Sequence, residues 1–428
     1  MRDKFYIFFK LISEYALYGL LFFIPISISL VEIFAALMLL GFIGRKIIRP
    51  DFNFIRFWPN VFLFSFFLFS ALSLFNSGAY LNISLRALFG KWMKYLAICI
   101  IIQDTVCDPK TIKRIIFVFL SSALLTVFSG ISQYFFGIEF LRNKNIVFMH
   151  NEAIRAATSS FAHYNSFGGY LVTVLALTFA LFLANGSFSI KTISLLVIFI
   201  FSIVAMMLTF SRGSWLAIVI SLIFILTFTK KRFKRIMLLV FAVIVISSLN
   251  IIMTKVETPS SPNSVNISSK ADENKIHTIS VFSERIFLTF KSGGDSDRFK
   301  YWLAACKMIR KHPFFGMGIG TFMANFSKYA IVKEAYAHNC YLQIWAETGI
   351  FSLISFITFV VSFIYLGIKN FLDTKDFLLL GLLSGVVGLL VHSFFDTNLY
   401  SLQLAFLFWV WVGLIVARLR IVDRESYK

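Results

Sequence analysis

The chain has 428 residues, of which 58% are hydrophobic, 18% aromatic and 14% charged, with 41 Lys and Arg against 21 Asp and Glu for a formal charge of +20. Soluble domains carry about 25% charged residues, so this apolar excess excludes a soluble globular fold and a disordered chain, and four Cys are too few for a disulfide scaffold. A polytopic, all-α membrane protein remains, and its basic excess belongs first to cytoplasmic loops, with no nucleic-acid partner expected.

A spanning helix needs about 20 mostly apolar residues. The apolar stretches predict twelve transmembrane helices, over 5–25, 28–44, 57–76, 81–102, 114–136, 161–184, 191–209, 213–229, 235–253, 341–367, 376–395 and 400–417. The chain therefore divides into spans 1–9 (1–253), a mostly helical outer segment (254–340), and spans 10–12 with a cytoplasmic tail (341–428). The first two spans are separated by Pro25, and merging them would invert every later loop. With the N-terminus inside, inner segments hold 22 Lys and Arg, while the short outer loops hold four: Arg142, Lys144, Arg155 and Arg212. That bias places both termini in the cytoplasm. The first span lacks a small-residue cleavage site and reads as a span, not as a removable signal. All six His fall on or near the outer face.

Span four carries Arg86, Lys91 and Lys94. Intramembrane cations mark functional sites, and these form either an internal ion pair or an anion site. Lys91 and Lys94, three apart, are expected to share a helix face. Between spans seven and eight, Ser211-Arg212-Gly213-Ser214-Trp215 closes a tight outer turn. It reads either as an interfacial anchor or as an anion site at a helix N-terminus. In the outer segment, 256–275 is polar and Pro/Ser-rich, a flexible pattern. From 280 to 340 the chain reads as ordered: Phe299, Trp302, Leu303, Cys306 and Ile309 recur at helical spacing, Pro313 stops that helix, and a second amphipathic stretch runs through Ala337. Gly316-Met317-Gly318-Ile319-Gly320 between them reads as a turn, since no strand precedes it as a nucleotide loop requires. His338-Asn339 then leads into span ten, where Glu347 would lie about 13 Å further along the helix. A His at such a mouth is either a satisfied interfacial side chain or a general base, its tautomer set by Asn339 or a nearby carbonyl. Whether Cys306 and Cys340 pair stays open. No metal-ligand spacing occurs in the outer loops, so neither a metal nor another cofactor is expected.

Together these residues resemble the O-antigen ligase superfamily of bacterial inner-membrane glycosyltransferases. The resemblance is carried by Thr209-Phe210-Ser211-Arg212-Gly213-Ser214-Trp215, by Asp297-Arg298 with Trp302, and by His312-Pro313 with Gly316, Gly318, Gly320 and Phe322. It ends with Ala337-His338-Asn339-x-Tyr341-Leu342-Gln343 and Glu347-x-Gly349. It covers about residues 155–395; the first 110 match only in hydropathy. Where the family has a Pro-Asn pair, this chain has Tyr164-Asn165 after His163. The resemblance implies a GT-C-like fold, an active site on the periplasmic face, and transfer of a glycan from undecaprenyl diphosphate with inversion. It implies His338 as the base and Arg212 and Arg298 on the diphosphate. Arg86 and Lys91 are added as further diphosphate cations, with His163 and Glu347 as secondary candidates. The leading expectation is an O-antigen ligase of lipopolysaccharide biosynthesis, with lipid A–core as acceptor. A polymerase using a second lipid-linked glycan, with a chain-length regulator protein as partner, and a protein O-oligosaccharyltransferase share this chemistry. A lipid-linked glycan flippase is the reading outside the class, and the concentration of polar residues in the outer half speaks against it.

Overall fold

The structure, a computed structural model, describes residues 2–144, 147–149, 154–184, 189–229, 294–331 and 335–426. Contacts divide the chain into a large unit, 1–147, 156–228 and 300–428, and a small one, 148–155 and 229–299. In chain order the helices are α1 (Arg2–Phe23), α2 (Ile28–Ile48), α3 (Asn60–Leu72), α4 (Leu81–Ala87), α5 (Met93–Thr105), α6 (Pro109–Phe136), α7 (Tyr164–Ala184), α8 (Ile190–Leu208), α9 (Arg212–Thr227), α10 (Gly294–Lys311), α11 (Phe322–Phe326), α12 (Cys340–Thr348), α13 (Ile350–Thr374), α14 (Phe377–His392) and α15 (Leu402–Ser426). A short ribbon of β1 (Val147–Met149) and β2 (Ile154–Ala156) is the exception among the described residues.

Seven of these helices are long and apolar enough to cross a membrane: α1, α2, α6, α7, α8, α13 and α15. The chain is a multi-pass membrane protein. The stretches expected as spans three and four form a pair, Asn60–Asn76 and Gly78–Thr105, bent by 119°. α9 and α14 are shorter apolar helices, and the expected ninth span, 235–253, lies outside the described residues. The expected tenth span breaks in two. Gly349 has φ +84°, and a Cβ there would sit 2.0 Å from the Phe314 carbonyl oxygen, so α12 ends before it and the membrane-length helix begins at Ile350. The second amphipathic stretch of the outer segment reduces to the five residues of α11.

Local chemistry explains the helix ends. Asp108 accepts the Thr111 N–H at 2.9 Å with Pro109 in the first helical position of α6, the preferred opening of a helix. α15 is central: Trp409 and Trp411 are fully buried, with Phe66, Phe356 and Phe359 around Trp409.

Polar contacts sort the connections of the large unit into two ends. At one, Arg45 pairs with Asp104 at 2.9 Å, Lys46 with Asp104 at 2.7 Å, Arg49 with Asp3 and Arg114 with Glu14, while Arg420 donates to the Gln103 carbonyl at 3.0 Å. At the other, Gln403 donates to the Ile24 carbonyl at 2.9 Å, Ser160 to the Pro25 carbonyl, and Asn76 to the Gly316 carbonyl at 2.9 Å. α1 and α2 are thus two antiparallel legs turning at Pro25. Asn60, at the start of α3, donates to Gln103, at the end of α5, at 2.8 Å, so the bent pair also returns to the end it left. Lys94 forms an ion pair with Glu32 of α2.

Candidate active site

His338 precedes Asn339, whose side-chain oxygen accepts the Tyr341 and Leu342 N–H groups at 3.0 Å and caps α12. The Cys340 N–H donates to the Ser393 carbonyl at 2.8 Å, so the start of α12 is tied to the α14–α15 loop. His338 is held at φ +47°, an uncommon conformation for a residue with a side chain. From there its Nδ1 reaches the Asp396 carboxylate at 3.2 Å, and its ring lies 5.8 Å from that of Tyr301. Burial alone would raise the Asp396 carboxyl. The hydrogen bond from His338, the nearby His392 and His338 rings and the Thr397 N–H outweigh burial and hold it well below the usual carboxylate range. An ionised carboxylate only accepts. In the neutral ring His338 Nδ1 therefore carries the proton and Nε2 the lone pair, on a side chain one-third exposed. The tautomer is set by Asp396, not by Asn339 or a carbonyl, because Asn339 is committed to its cap.

The same loop holds the Arg212 turn. Ser211 Oγ donates to Asn165 Oδ1 at 2.8 Å, lies 2.8 Å from Ser214 Oγ, and Ser214 Oγ lies 3.0 Å from His392 Nε2. His392 Nδ1 in turn meets the Asn398 side-chain amide at 2.9 Å. This buried chain links the starts of α7 and α9 to both sides of Asp396. Gly213 packs so closely that a Cβ would come within 3.2 Å of His392 and Phe395. Arg212 opens α9 with its side chain exposed.

Glu347, which the sequence placed within a span, is buried in α12, outside the membrane-length helix. Its Oε2 accepts the Gly320 N–H at 2.8 Å and its Oε1 the Phe322 N–H at 3.2 Å. Burial pushes this carboxyl up to about 7, against those two donors, Gln343 and Tyr400. The Gly316–Gly320 segment is a docking turn: Met317 and Gly318 donate to the Ala346 and Glu347 carbonyls at 2.9 Å, and Ile319 to Ser73 Oγ at 3.0 Å.

A cavity of about 300 Å³ opens beside Glu347, lined by Arg86, Lys91, Tyr95, Tyr336 and Tyr400 among others. Between α4 and α5 the helix widens into a π turn, Leu88–Trp92, a feature frequent at functional sites. Lys91, in this turn, lines the cavity together with Arg86. Lys91 and Lys94 therefore serve different ends, the cavity and the Glu32 pair, where unbroken helical spacing had put them on one face.

Residues 197–357 match the family model described as O-antigen ligase. The resemblance to the O-antigen ligase superfamily holds over that stretch, and the family implies a glycosyltransferase-like enzyme acting on a lipid-linked glycan and an acceptor. No curated protein matches the chain. The ligase-matched stretch contains Arg212, Arg298, His338 and Glu347; Arg86, Lys91, His163 and Asp396 lie outside it.

Of the remaining candidates in this ligase-like chain, Arg298 belongs to the small unit, near the start of α10. His163 Nδ1 accepts the Asn165 N–H at 3.2 Å at the start of α7. Cys306 and Cys340 are unbridged, the first exposed and the second buried. Among the described residues no cluster of three or more His, Cys, Asp or Glu is arranged to hold a metal ion. Sequence reasoning missed Asp396, Asn398 and Tyr400; the signal available was the polar run Asp396-Thr397-Asn398 between two apolar stretches.

Proposed function

We propose that the protein is an O-antigen ligase, transferring a polysaccharide from undecaprenyl diphosphate to lipid A–core at the periplasmic face of a bacterial inner membrane. In this reading the chain crosses twelve times with both termini cytoplasmic, and the segment 254–340 is periplasmic. The observation that carries the chemistry is the His338–Asp396 pair, in which Nδ1 of the neutral ring binds the carboxylate and Nε2 is the nitrogen left to accept a proton.

His338 Nε2 takes the proton of the acceptor hydroxyl as that oxygen attacks the anomeric carbon. The new glycosidic bond forms as the bond to the diphosphate breaks, with inversion from direct displacement. Asp396 stabilises the imidazolium that results. Arg212 and Arg298 neutralise the departing undecaprenyl diphosphate by charge-assisted hydrogen bonds. This assignment needs no metal, because guanidinium groups supply the countercharge.

The test measures transfer and donor binding on the same folded His338→Ala protein. Transfer is expected to be abolished with donor binding retained; near-wild-type transfer would remove the base assignment. The acceptor is tested in a deletion strain: a lost ligase leaves unsubstituted core while long lipid-linked chains accumulate, and a lost polymerase leaves core bearing a single repeat.

A further inference from the structure

Among the described residues His392 is the one fully buried histidine, and the reaction proposed above gives it no part. The polar chain it belongs to has a direction. Ser211 Oγ donates to Asn165 Oδ1 at 2.8 Å, and a hydroxyl has a single hydrogen. Ser211 Oγ therefore accepts from Ser214 Oγ, 2.8 Å away. Ser214, its own hydrogen spent, offers His392 Nε2 only a lone pair across 3.0 Å, so the ring must donate from Nε2. At the other ring nitrogen the Asn398 amide nitrogen stands 2.9 Å from Nδ1. That amide is oriented, because its nitrogen also donates to Ser393 Oγ at 3.1 Å, and Ser393 spends its own hydrogen on the Leu389 carbonyl at 2.7 Å. The hydrogens thus run one way, from Asn398 through His392, Ser214 and Ser211 to Asn165, in a wholly buried row. Little slack is left around it: a Cβ on Gly168 would come within 2.2 Å of Ser214 Oγ, and one on Gly169 within 3.2 Å of His392 Nδ1.

We propose that His392 is a positioning residue of the transfer site: by donating from Nε2 to Ser214 it fixes the turn that carries Arg212 relative to Asp396 and so to His338. Arg212 lies between the two serines of the chain. On the other side His392 ends α14, and its carbonyl accepts the Asp396 N–H at 3.1 Å. One imidazole therefore joins the backbone that presents the guanidinium to the backbone that presents the carboxylate. A buried row of satisfied hydrogen bonds holds such a geometry because breaking any link strands a polar group away from water. The effect on donor binding rests on the reading of Arg212 as a diphosphate ligand; the direction of the chain and its hold on the turn do not.

The test uses the full-length protein in nanodiscs, isotopically labelled at its His and Trp nitrogens for NMR, with undecaprenyl diphosphate as the binding probe. The His392 signals are expected to show the hydrogen on Nε2; a ring protonated only at Nδ1 would reverse the chain and overturn the proposal. Trp215 donates from its indole to the Met206 carbonyl at 3.2 Å, so its indole signal reports the state of the turn. Ser214→Ala and His392→Leu should each shift that signal and weaken undecaprenyl diphosphate binding about tenfold, the cost of leaving a buried polar group without its partner. His392→Gln, whose amide nitrogen can stand in for Nε2, should bind within about twofold of wild type; damage equal to that of His392→Leu would leave the ring a packing role and overturn the donation. Ser214→Ala removes one oxygen and decides the matter if His392→Leu does not fold. In an Arg212→Gln background, His392→Leu should cost no further affinity; full additivity would take His392 off the Arg212 turn. Normal binding by Arg212→Gln alone would count against the donor reading only. The Trp215 signal then decides: shifted by Ser214→Ala and His392→Leu, it supports the hold on the turn, and unshifted, it overturns it.

Discussion

At the scale of single residues, the contact between His338 and Asp396 has a consequence that a lone histidine would not. The carboxylate fixes which nitrogen carries the proton and stabilises the charge that develops on the ring. Asp396→Asn keeps the volume and removes the charge, so the wrong tautomer becomes accessible. Turnover is expected to fall on the order of 10²-fold or more, by analogy with carboxylate removal in other His-based sites, with donor binding unchanged. Turnover within a factor of about two of wild type would reduce the pair to a structural contact. Arg212 makes a different demand. A planar guanidinium grips two phosphate oxygens at once where an ammonium offers a point charge, so Arg212→Lys should lose roughly 2–4 kcal/mol of transition-state stabilisation. Steady-state kinetics at matched protein levels would show it, and an unchanged rate would make Arg212 an interfacial anchor. His338 and Arg212 could be read from sequence because each sits in a short local pattern. Asp396 could not, because its partner lies 58 residues away and no local spacing announces the meeting.

At the scale of elements, α12 is the piece that hydropathy misread. Its apolar residues Leu342, Ile344, Trp345 and Ala346 lie just before those of α13, and the backbone requirement at Gly349 separates the two helices. The separation brings Glu347 out of the membrane-length helix and under the N–H groups of Gly320 and Phe322. A carboxyl raised to about 7 keeps its proton to higher pH in the folded chain than in the unfolded one. Its contribution to stability is therefore complete below the ordinary carboxylate value, about 4.3, and is lost as pH rises through about 7. The midpoint of thermal unfolding of the solubilised protein should fall between about pH 5 and about pH 8, and Glu347→Gln should flatten that slope. A slope that survives in the variant would assign the titration to another group. The π turn before α5 was equally hidden: composition marks Arg86 and Lys91 as costly, but the change of register that turns them to one cavity is a backbone event.

At the scale of the whole molecule, much of the helical order was legible, because each apolar stretch carries its own signal. Seven expected spans are membrane-length helices; the third and fourth meet in a bend of 119°, the eighth and eleventh are shorter apolar helices, and the ninth, 235–253, lies outside the described residues. The sidedness proposed above rests on two independent arguments. One is the 22 to four distribution of Lys and Arg. The other is contact: the segments around Asp3, Arg45, Asp104 and Arg420 pair with one another, and those around Pro25, Asn76, Ser160 and Gln403 meet elsewhere. A merged first span would have put Arg49 far from Asp3 and reversed every later connection. The hairpin at Pro25 and the return of α5 to Asn60 each add an even number of legs, so the charge bias keeps its sign along the chain. Reporter fusions at Asn263 and at Lys428 should accordingly report opposite faces, the first outside and the second cytoplasmic. Both on the same face would remove an odd number of crossings between them. His338 and the Arg212 turn would then have no assigned side, and the reaction proposed for them would lose the face on which a lipid-linked donor has to meet its acceptor.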